Sequence, residues 1–178
     1  SRTNNSILVD GGDQFQGTLF YTYYKGKVAA EMMNNLGYDA MTVGNHEFDD
    51  GPEVLRGFMD AVNFPVLMSN ADVSKEPLLA GKLAKSTVIE RGGEKLGLIG
   101  LTPEDTDELA SPGDNVTFSD PVAAVQGQHQ QPAGQPGGGD TGTGPLLRQG
   151  QDRDGVRDGG HLAGLRVGYL VADPAVVT

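Results

Sequence analysis

Two short polar runs contain the residues of this chain whose types and spacing could do chemistry. The first, Asp10-Gly-Gly-Asp13, follows the apolar residues 7–9, and the second, Gly44-Asn-His-Glu-Phe-Asp49, follows the apolar residues 40–43. Each run therefore stands where a β-strand would end, and a helical pattern joins the two. Because parallel neighbours point their carboxyl ends at the same edge of a sheet, we expect the two runs to lie side by side.

The side chains of these runs suit half of a centre for metal-assisted hydrolysis of a phosphate ester. Two cations about 3.5–4 Å apart remove the charge repulsion that slows this reaction, and they lower the pKa of a bridging water. Asp13, held by a tight glycine turn, is the candidate ligand for both cations, and Asn45 offers a neutral carbonyl oxygen. This donor set suits zinc, manganese or a similar divalent ion better than calcium alone. His46 is either a further ligand or a proton donor beside the phosphate, and Asp49 is close enough in a turn to hold one of its ring nitrogens.

Each run taken alone also has a simpler explanation. Asp-Gly-Gly-Asp is most often a surface turn, because aspartate and glycine favour turn conformations. An isolated Asn-His pair is more often part of a loop than of a metal site. The two runs together, one βαβ unit apart, favour a functional site.

The elements that must position these residues follow an α/β pattern. One apolar stripe with helical spacing ends at Gly37, and another follows Gly51-Pro52, where proline suits the first helical turn. Gly92-Gly93 separates two strand patterns and predicts a hairpin. The strand patterns cover residues 7–9, 40–43, 65–68, 87–89 and 95–101, and the helical stripes comprise Val28, Ala29, Met32, Met33 and Leu36, then Val54, Leu55, Phe58, Met59 and Val62.

The composition limits the class of partner. The 178 residues, 37% of them apolar, are enough for one domain with a hydrophobic core. Thirteen Lys and Arg against 24 Asp and Glu give a formal charge of -11, which argues against nucleic acid as a partner. A nucleotide or another small phosphate ester stays possible if metal ions supply the positive charge. No apolar run approaches the roughly 18 residues of a membrane span, and the absence of cysteine fits an oxidising or a reducing compartment.

The chain changes character after about residue 126, so we divide it into a partial domain over residues 1–126 and a tail over 127–178. The tail holds 13 of the 27 glycines and contains no Lys, Glu, Ile, Phe, Met, Asn or Ser. Such a composition predicts a flexible low-complexity segment or a GC-rich gene translated in a shifted frame, and we favour the shifted frame. On either explanation the tail stays outside the core, except that residues 165–177 could add a strand. His129 and His161 are then incidental.

Four segments closely resemble the calcineurin-like metallophosphoesterases, and within them the 5′-nucleotidase and UDP-sugar hydrolase group. They are DGGDQFQGT at 10–18, YDAMTVGNHEFD at 38–49, PVLMSNA at 65–71 and LIGLT at 98–102. The resemblance implies part of a four-layer αββα sandwich that hydrolyses nucleotide phosphate esters with two divalent metal ions. It further implies that Asp13 bridges both ions and Asn45 binds one. In the same way His46 would stabilise the transition state and leaving group, and Asp49 would orient His46.

The chain also departs from the pattern of this family. Family members carry an Asp-x-His metal motif before the Asp13 segment and a Gly-His-x-His run downstream, and this sequence contains neither. We therefore expect an incomplete, inactive fragment of marginal stability, whose start at Ser1 looks cut. A periplasmic, extracellular or cell-surface location is implied by the resemblance. The alternatives are a cyclic-nucleotide phosphodiesterase, a UDP-sugar hydrolase or a thiosulfohydrolase of the same superfamily, and a truncated product without enzymatic function.

Overall fold

The computed structural model describes residues 5–129 and the backbone of residues 169–171. Short strands alternate with helices through this part of the chain, so the expected α/β class is confirmed. A 3-10 turn spans His46–Phe48. The strands are β1 (Val9–Asp10), β2 (Ala40–Thr42), β3 (Val66–Leu67), β4 (Ala71–Asp72), β5 (Ser86–Arg91), β6 (Glu94–Ile99), β7 (Thr117–Phe118) and β8 (Tyr169–Val171), and the helices are α1 (Leu19–Tyr24), α2 (Lys27–Leu36), α3 (Gly51–Ala61), α4 (Thr106–Leu109) and α5 (Pro121–His129).

A parallel sheet of β1, β2 and β3 positions the two polar runs, with β2 in the centre. Val9 is paired with Ala40, and Met41 with Val66. Helices lie between successive strands because parallel pairing requires a crossover. Every residue of β2 is buried, as expected for a strand covered on both faces. Since β1 and β2 end at the same edge, the prediction that the two runs lie side by side is confirmed.

Helices α2 and α3 form where the sequence pattern predicts them, and α2 buries only part of its apolar stripe. The helix ends at Gly37, whose φ of 72° allows its N–H to bond to the carbonyl of Met33. Ala30 and Met33 are buried, whereas Met32 and Leu36 are each 58% exposed. The predicted stripe covers a wider arc than the helix buries, so the helix turns one edge of the stripe towards the core and leaves the other in solvent.

The hydrophobic core extends into the loop after β1 through Phe15. This side chain is fully buried, stacks on Tyr21 with 4.9 Å between ring centroids, and meets Phe58 edge to face at 5.4 Å. Gly26 makes room for it, because a Cβ atom there would lie 2.6 Å from the Phe15 ring. The loop that carries Asp13 is therefore anchored two residues later in the same core that holds α1 and α3.

The hairpin predicted around Gly92-Gly93 is present as β5 and β6, with Arg91 opposite Glu94. On its other edge β6 is paired with β8, which lies within the segment 165–177 that could add a strand. Residues 130–168 and 172–178 lie outside the described part of the chain. They make up most of the predicted tail, so the frame-shift hypothesis stays a prediction. Over the described ranges, no helix has the length and apolar character needed to span a bilayer.

Candidate active site

The loop after β1 makes a tight turn that leaves Asp13 in an unusual conformation. Gly12 has a φ of 91° and Asp13 a φ of 61°, in the left-handed region that aspartate tolerates better than most residues. The Asp10 carboxylate accepts the N–H of Gly12 at 2.9 Å and the side-chain amide of Gln14 at 3.0 Å. Asp10 thus serves the turn itself, as the simpler explanation of this run supposes, while Asp13 projects from it.

Asp13 contacts the loop after β2 because two glycines allow a close approach. A Cβ atom on Gly12 would lie 2.4 Å from the Gly44 nitrogen, and one on Gly44 would lie 2.2 Å from Asp13 Oδ1. At this point the N–H of His46 donates to Asp13 Oδ1 at 3.3 Å. Among residues 5–129, the second carboxylate oxygen of Asp13 accepts no hydrogen bond, so it is available to a ligand.

His46 and Asp49 form a side-chain pair across the 3-10 turn. His46 Nδ1 lies 2.8 Å from Asp49 Oδ2, the contact that the turn spacing predicts. The same Oδ2 accepts a hydrogen bond from the side-chain amide of Gln16, in the loop after β1. His46 keeps 43% of its side chain exposed and Asp49 only 15%, so the carboxylate lies behind a ring that faces the solvent. A carboxylate at Nδ1 favours the tautomer that carries its proton there and leaves Nε2 directed outwards.

Asn45 lies between the two contacts just described. It is partly buried, and its side chain does not cap the 3-10 turn that follows. The next residue, His46, donates its N–H to the Asp13 carboxylate, and this contact brings the Asn45 backbone close to that carboxylate. That the amide oxygen of Asn45 shares a metal cluster with Asp13 stays a prediction.

Glu47 is the residue of this site to which the sequence pattern assigned no role. It is fully buried and accepts four backbone N–H groups, those of Asp13, Gln14, Phe15 and Gly44. Burial raises the pKa of Glu47 to about 7, and the N–H bonds act in the opposite direction. A glutamate within a polar run is normally exposed, so the sequence carried no clear signal for this buried role.

A cleft of about 330 Å³ opens beside Asp13 and runs towards α1 and α2. Its lining includes the polar side chains of Gln14 and Gln16 and the larger side chains of Phe20, Met32 and Tyr38. Asp13 therefore borders a solvent-accessible cleft, whereas no residue of the run 44–49 lines it.

Few potential metal ligands lie together in the described part of the chain. Over residues 5–129, no group of three or more His, Cys, Asp or Glu side chains is arranged to hold a metal ion. Asp13 and Asn45 remain the candidate ligands, and their oxygen donors suit a divalent cation. His161 and the side chain of His129 lie outside the described residues.

Comparison with known proteins gives a consistent result. The sequence model of the family described as Calcineurin-like phosphoesterase matches residues 1–158. A 5′-nucleotidase of Diplobatis ommata is 45% identical over 129 residues, which are 71% of this chain and 22% of that protein. An apyrase of Tabanus yao is 42% identical over 127 residues, 71% of this chain and 23% of the relative.

A solved structure supports the same comparison at the level of the fold. The crystal structure of a 5′-nucleotidase precursor from Thermus thermophilus superposes with a TM-score of 0.68 at 45% identity, covering 70% of this chain and 25% of that one. The chain thus spans about a quarter or less of the length of these three proteins.

Proposed function

Because the chain belongs to the calcineurin-like phosphoesterase family, whose members are phosphoric ester hydrolases, we propose that its parent protein is a hydrolase of the 5′-nucleotidase type, which releases phosphate from nucleotides. One observation carries the proposal. At the shared edge of β1 and β2, the Asp13 carboxylate meets the backbone of His46, and the His46 ring is held by Asp49. A carboxylate and an oriented imidazole on one sheet edge are the groups that this hydrolysis needs.

Asp13 and Asn45 would hold the metal ions, as the bridging ligand and as a ligand of one ion respectively. The donor set fits, since Asp13 keeps one oxygen free of hydrogen bonds to residues 5–129 and Asn45 adds a neutral oxygen. When bound, two divalent ions such as zinc or manganese supply positive charge to the phosphate and lower the pKa of a coordinated water. The number of ions and their identity are part of the proposal.

His46 would act directly on the phosphate, and Asp49 would act through His46. In its doubly protonated form, His46 donates Nδ1–H to Asp49 and directs Nε2–H outwards, where it stabilises negative charge on the phosphoryl group or gives that proton to the leaving oxygen. Asp49 holds the ring in that orientation, and the Gln16 amide on the same oxygen limits rotation of the carboxylate. His46 is therefore the proposed catalytic residue, and Asp49 its positioning partner.

The substrate and compartment follow from the relatives by analogy. A nucleoside 5′-monophosphate is the proposed substrate because several relatives carry the name 5′-nucleotidase. A periplasmic, extracellular or cell-surface location is proposed on the same basis, and one relative is named as a snake venom enzyme. A cyclic-nucleotide phosphodiesterase, a UDP-sugar hydrolase and a thiosulfohydrolase remain the alternatives within the superfamily.

We further propose that the 178 residues alone do not turn over substrate. The support is the small number of candidate ligands. Over the described ranges these are Asp13 and Asn45, whereas each of two cations needs about four to six donors. The alternative of a truncated product without enzymatic function also predicts no turnover by the isolated chain. The two hypotheses must therefore be distinguished in a protein that contains the complete site.

A chimera provides that test. Residues 6–120 replace the matching segment of the Thermus thermophilus 5′-nucleotidase, and phosphate release from AMP is measured with and without Mn²⁺. We expect metal-dependent release that His46→Ala lowers by about 10²–10⁴-fold. A folded chimera that releases no phosphate would contradict the proposed roles. Substrate preference is measured on a longer product of the same gene with AMP, UDP-glucose and a 2′,3′-cyclic nucleotide, and a preference for the cyclic ester would favour the phosphodiesterase.

A further inference from the structure

The buried carboxylate of Glu47 joins the two loops of the site. Its Oε2 accepts the N–H groups of Asp13 at 2.8 Å and Gly44 at 2.6 Å. Its Oε1 accepts those of Gln14 at 2.6 Å and Phe15 at 3.3 Å. Three of these four donors belong to the loop after β1, whereas Glu47 belongs to the loop after β2. The side chain therefore ties one loop to the other from inside the protein.

The residue that gains most from this arrangement is Asp13. Its φ of 61° is uncommon for a residue with a side chain, so neighbouring bonds must hold the conformation. Without Glu47, the N–H groups of residues 13–15 would lose their acceptor, and the turn could relax to a negative φ at Asp13. The carboxylate of Asp13 would then leave its contact with the N–H of His46.

We propose that Glu47 is a positioning residue: it keeps Asp13 in the left-handed conformation and so holds the Asp13 carboxylate at the sheet edge shared with His46. Glu47 touches neither phosphate nor metal in this role. The inference rests on the proposed function only in taking Asp13 as a metal ligand, because the loop geometry that it explains is independent of any ligand.

Glu47→Gln isolates the role without creating a cavity. Glutamine matches glutamate in size but presents an oxygen and an NH₂ group in place of two oxygens. Whichever way the amide is turned, two of the four backbone N–H groups then face a donor. The matched control is Leu55→Ala in α3, which removes a fully buried side chain outside both loops and lowers stability by a different route.

The first measurement is amide hydrogen exchange by NMR on the full chain. We expect Glu47→Gln to accelerate exchange at Asp13, Gln14 and Gly44 by about tenfold or more relative to Met41 and Val43, which are bonded within the sheet. Leu55→Ala should accelerate exchange more evenly. Equal acceleration at the loops and the sheet in Glu47→Gln would show that Glu47 contributes to stability alone and would overturn the proposal.

The second measurement is broadening of the His46 signals by added Mn²⁺. We expect Glu47→Gln to need about 10–100 times more Mn²⁺ than the unsubstituted chain, and Leu55→Ala to need the same amount. Equal requirements in Glu47→Gln and the unsubstituted chain would refute the positioning role while the metal site stands. If Mn²⁺ leaves the unsubstituted chain unaffected, the metal proposal fails for this chain and the exchange measurement alone decides the role of Glu47.

A second variant covers the case in which Glu47→Gln does not fold. Glycine adopts positive φ without strain, so Asp13→Gly removes the need for the support that we assign to Glu47. We then expect the double variant Asp13→Gly with Glu47→Gln to fold and melt cooperatively. Failure of both variants to fold would overturn the proposal.

Discussion

Gly44 lies against Asp13 so closely that a Cβ atom on Gly44 would be 2.2 Å from Asp13 Oδ1 and 2.7 Å from the Asp13 nitrogen. No other residue type fits at this distance, because the contact involves backbone as well as a side chain. Gly12 makes the reciprocal approach, with its Cβ position 2.4 Å from the Gly44 nitrogen. The two glycines therefore determine how near the carboxylate comes to the backbone of His46.

We expect Gly44→Ala to displace the Asp13 loop and to lower the free energy of unfolding by about 1–3 kcal/mol. Gly57→Ala is the control, since no atom lies within 4 Å of that Cβ position and the residue is in the middle of α3. Alanine there should raise stability by about 0.5–1 kcal/mol. Urea denaturation of both variants measures the difference, and equal effects would show that the close approach does not matter.

We expect Asp49→Asn to impair catalysis in the chimera by about 10²–10⁴-fold in kcat, with little change in KM. The amide nitrogen of asparagine can face the histidine Nδ1 and so favour the wrong tautomer of the ring. Asp60→Asn is the control, because Asp60 lies on α3 and contacts Arg56 at 2.8 Å. A full rate in Asp49→Asn would mean that the contact with His46 is not used in the reaction.

We expect the isolated chain to bind divalent metal ions weakly, because Asp13 and Asn45 are too few ligands for a tight site. The melting temperature should stay constant in micromolar Mn²⁺ and rise in millimolar Mn²⁺, since a ligand of the folded state raises stability. Asp13→Asn should abolish the rise, which separates this site from general binding to an acidic chain. No rise at any concentration would leave the isolated chain without a working site.

The acid stability of the chain should depend on Asp50. The hydroxyl of Tyr21 and, at 2.9 Å, Lys25 Nζ donate to Asp50 Oδ2, and these contacts lower the pKa of Asp50. A lowered pKa in the folded state means that the stabilisation is present above the unfolded pKa of about 3.9 and is lost as the pH falls through the folded value.

Asp50→Asn should therefore lower the melting temperature at neutral pH, and its difference from the unsubstituted chain should shrink below about pH 4. Asp114→Asn, at an exposed loop position, should change little at any pH. A difference that stays constant from neutral to acidic pH would show that the charge of Asp50 is not the cause.

The larger elements of the fold could be predicted because their signals are local. Neighbouring residues alone are enough to recognise three of them: the apolar residues 40–43, the helical stripe that ends at Gly37 and the glycine pair at 92–93. Short elements such as β4 and β7 have two residues each and show no period, so only their antiparallel pairing defines them. The helical spacing in α2 did not indicate that Met32 and Leu36 would be exposed, because the edge of an apolar stripe that meets the core depends on the neighbouring elements.

For the site, the sequence alone determined which chemical groups are available and that Asp13 and His46 follow neighbouring strands, because parallel pairing brings strand ends together. Only the tertiary structure decided that Glu47 accepts N–H groups from both loops and that Gln16 contacts Asp49. These bonds join residues more than 30 positions apart or depend on a positive φ at Asp13. No local pattern encodes such contacts, since they exist only once the sheet has brought the two loops within hydrogen-bonding distance.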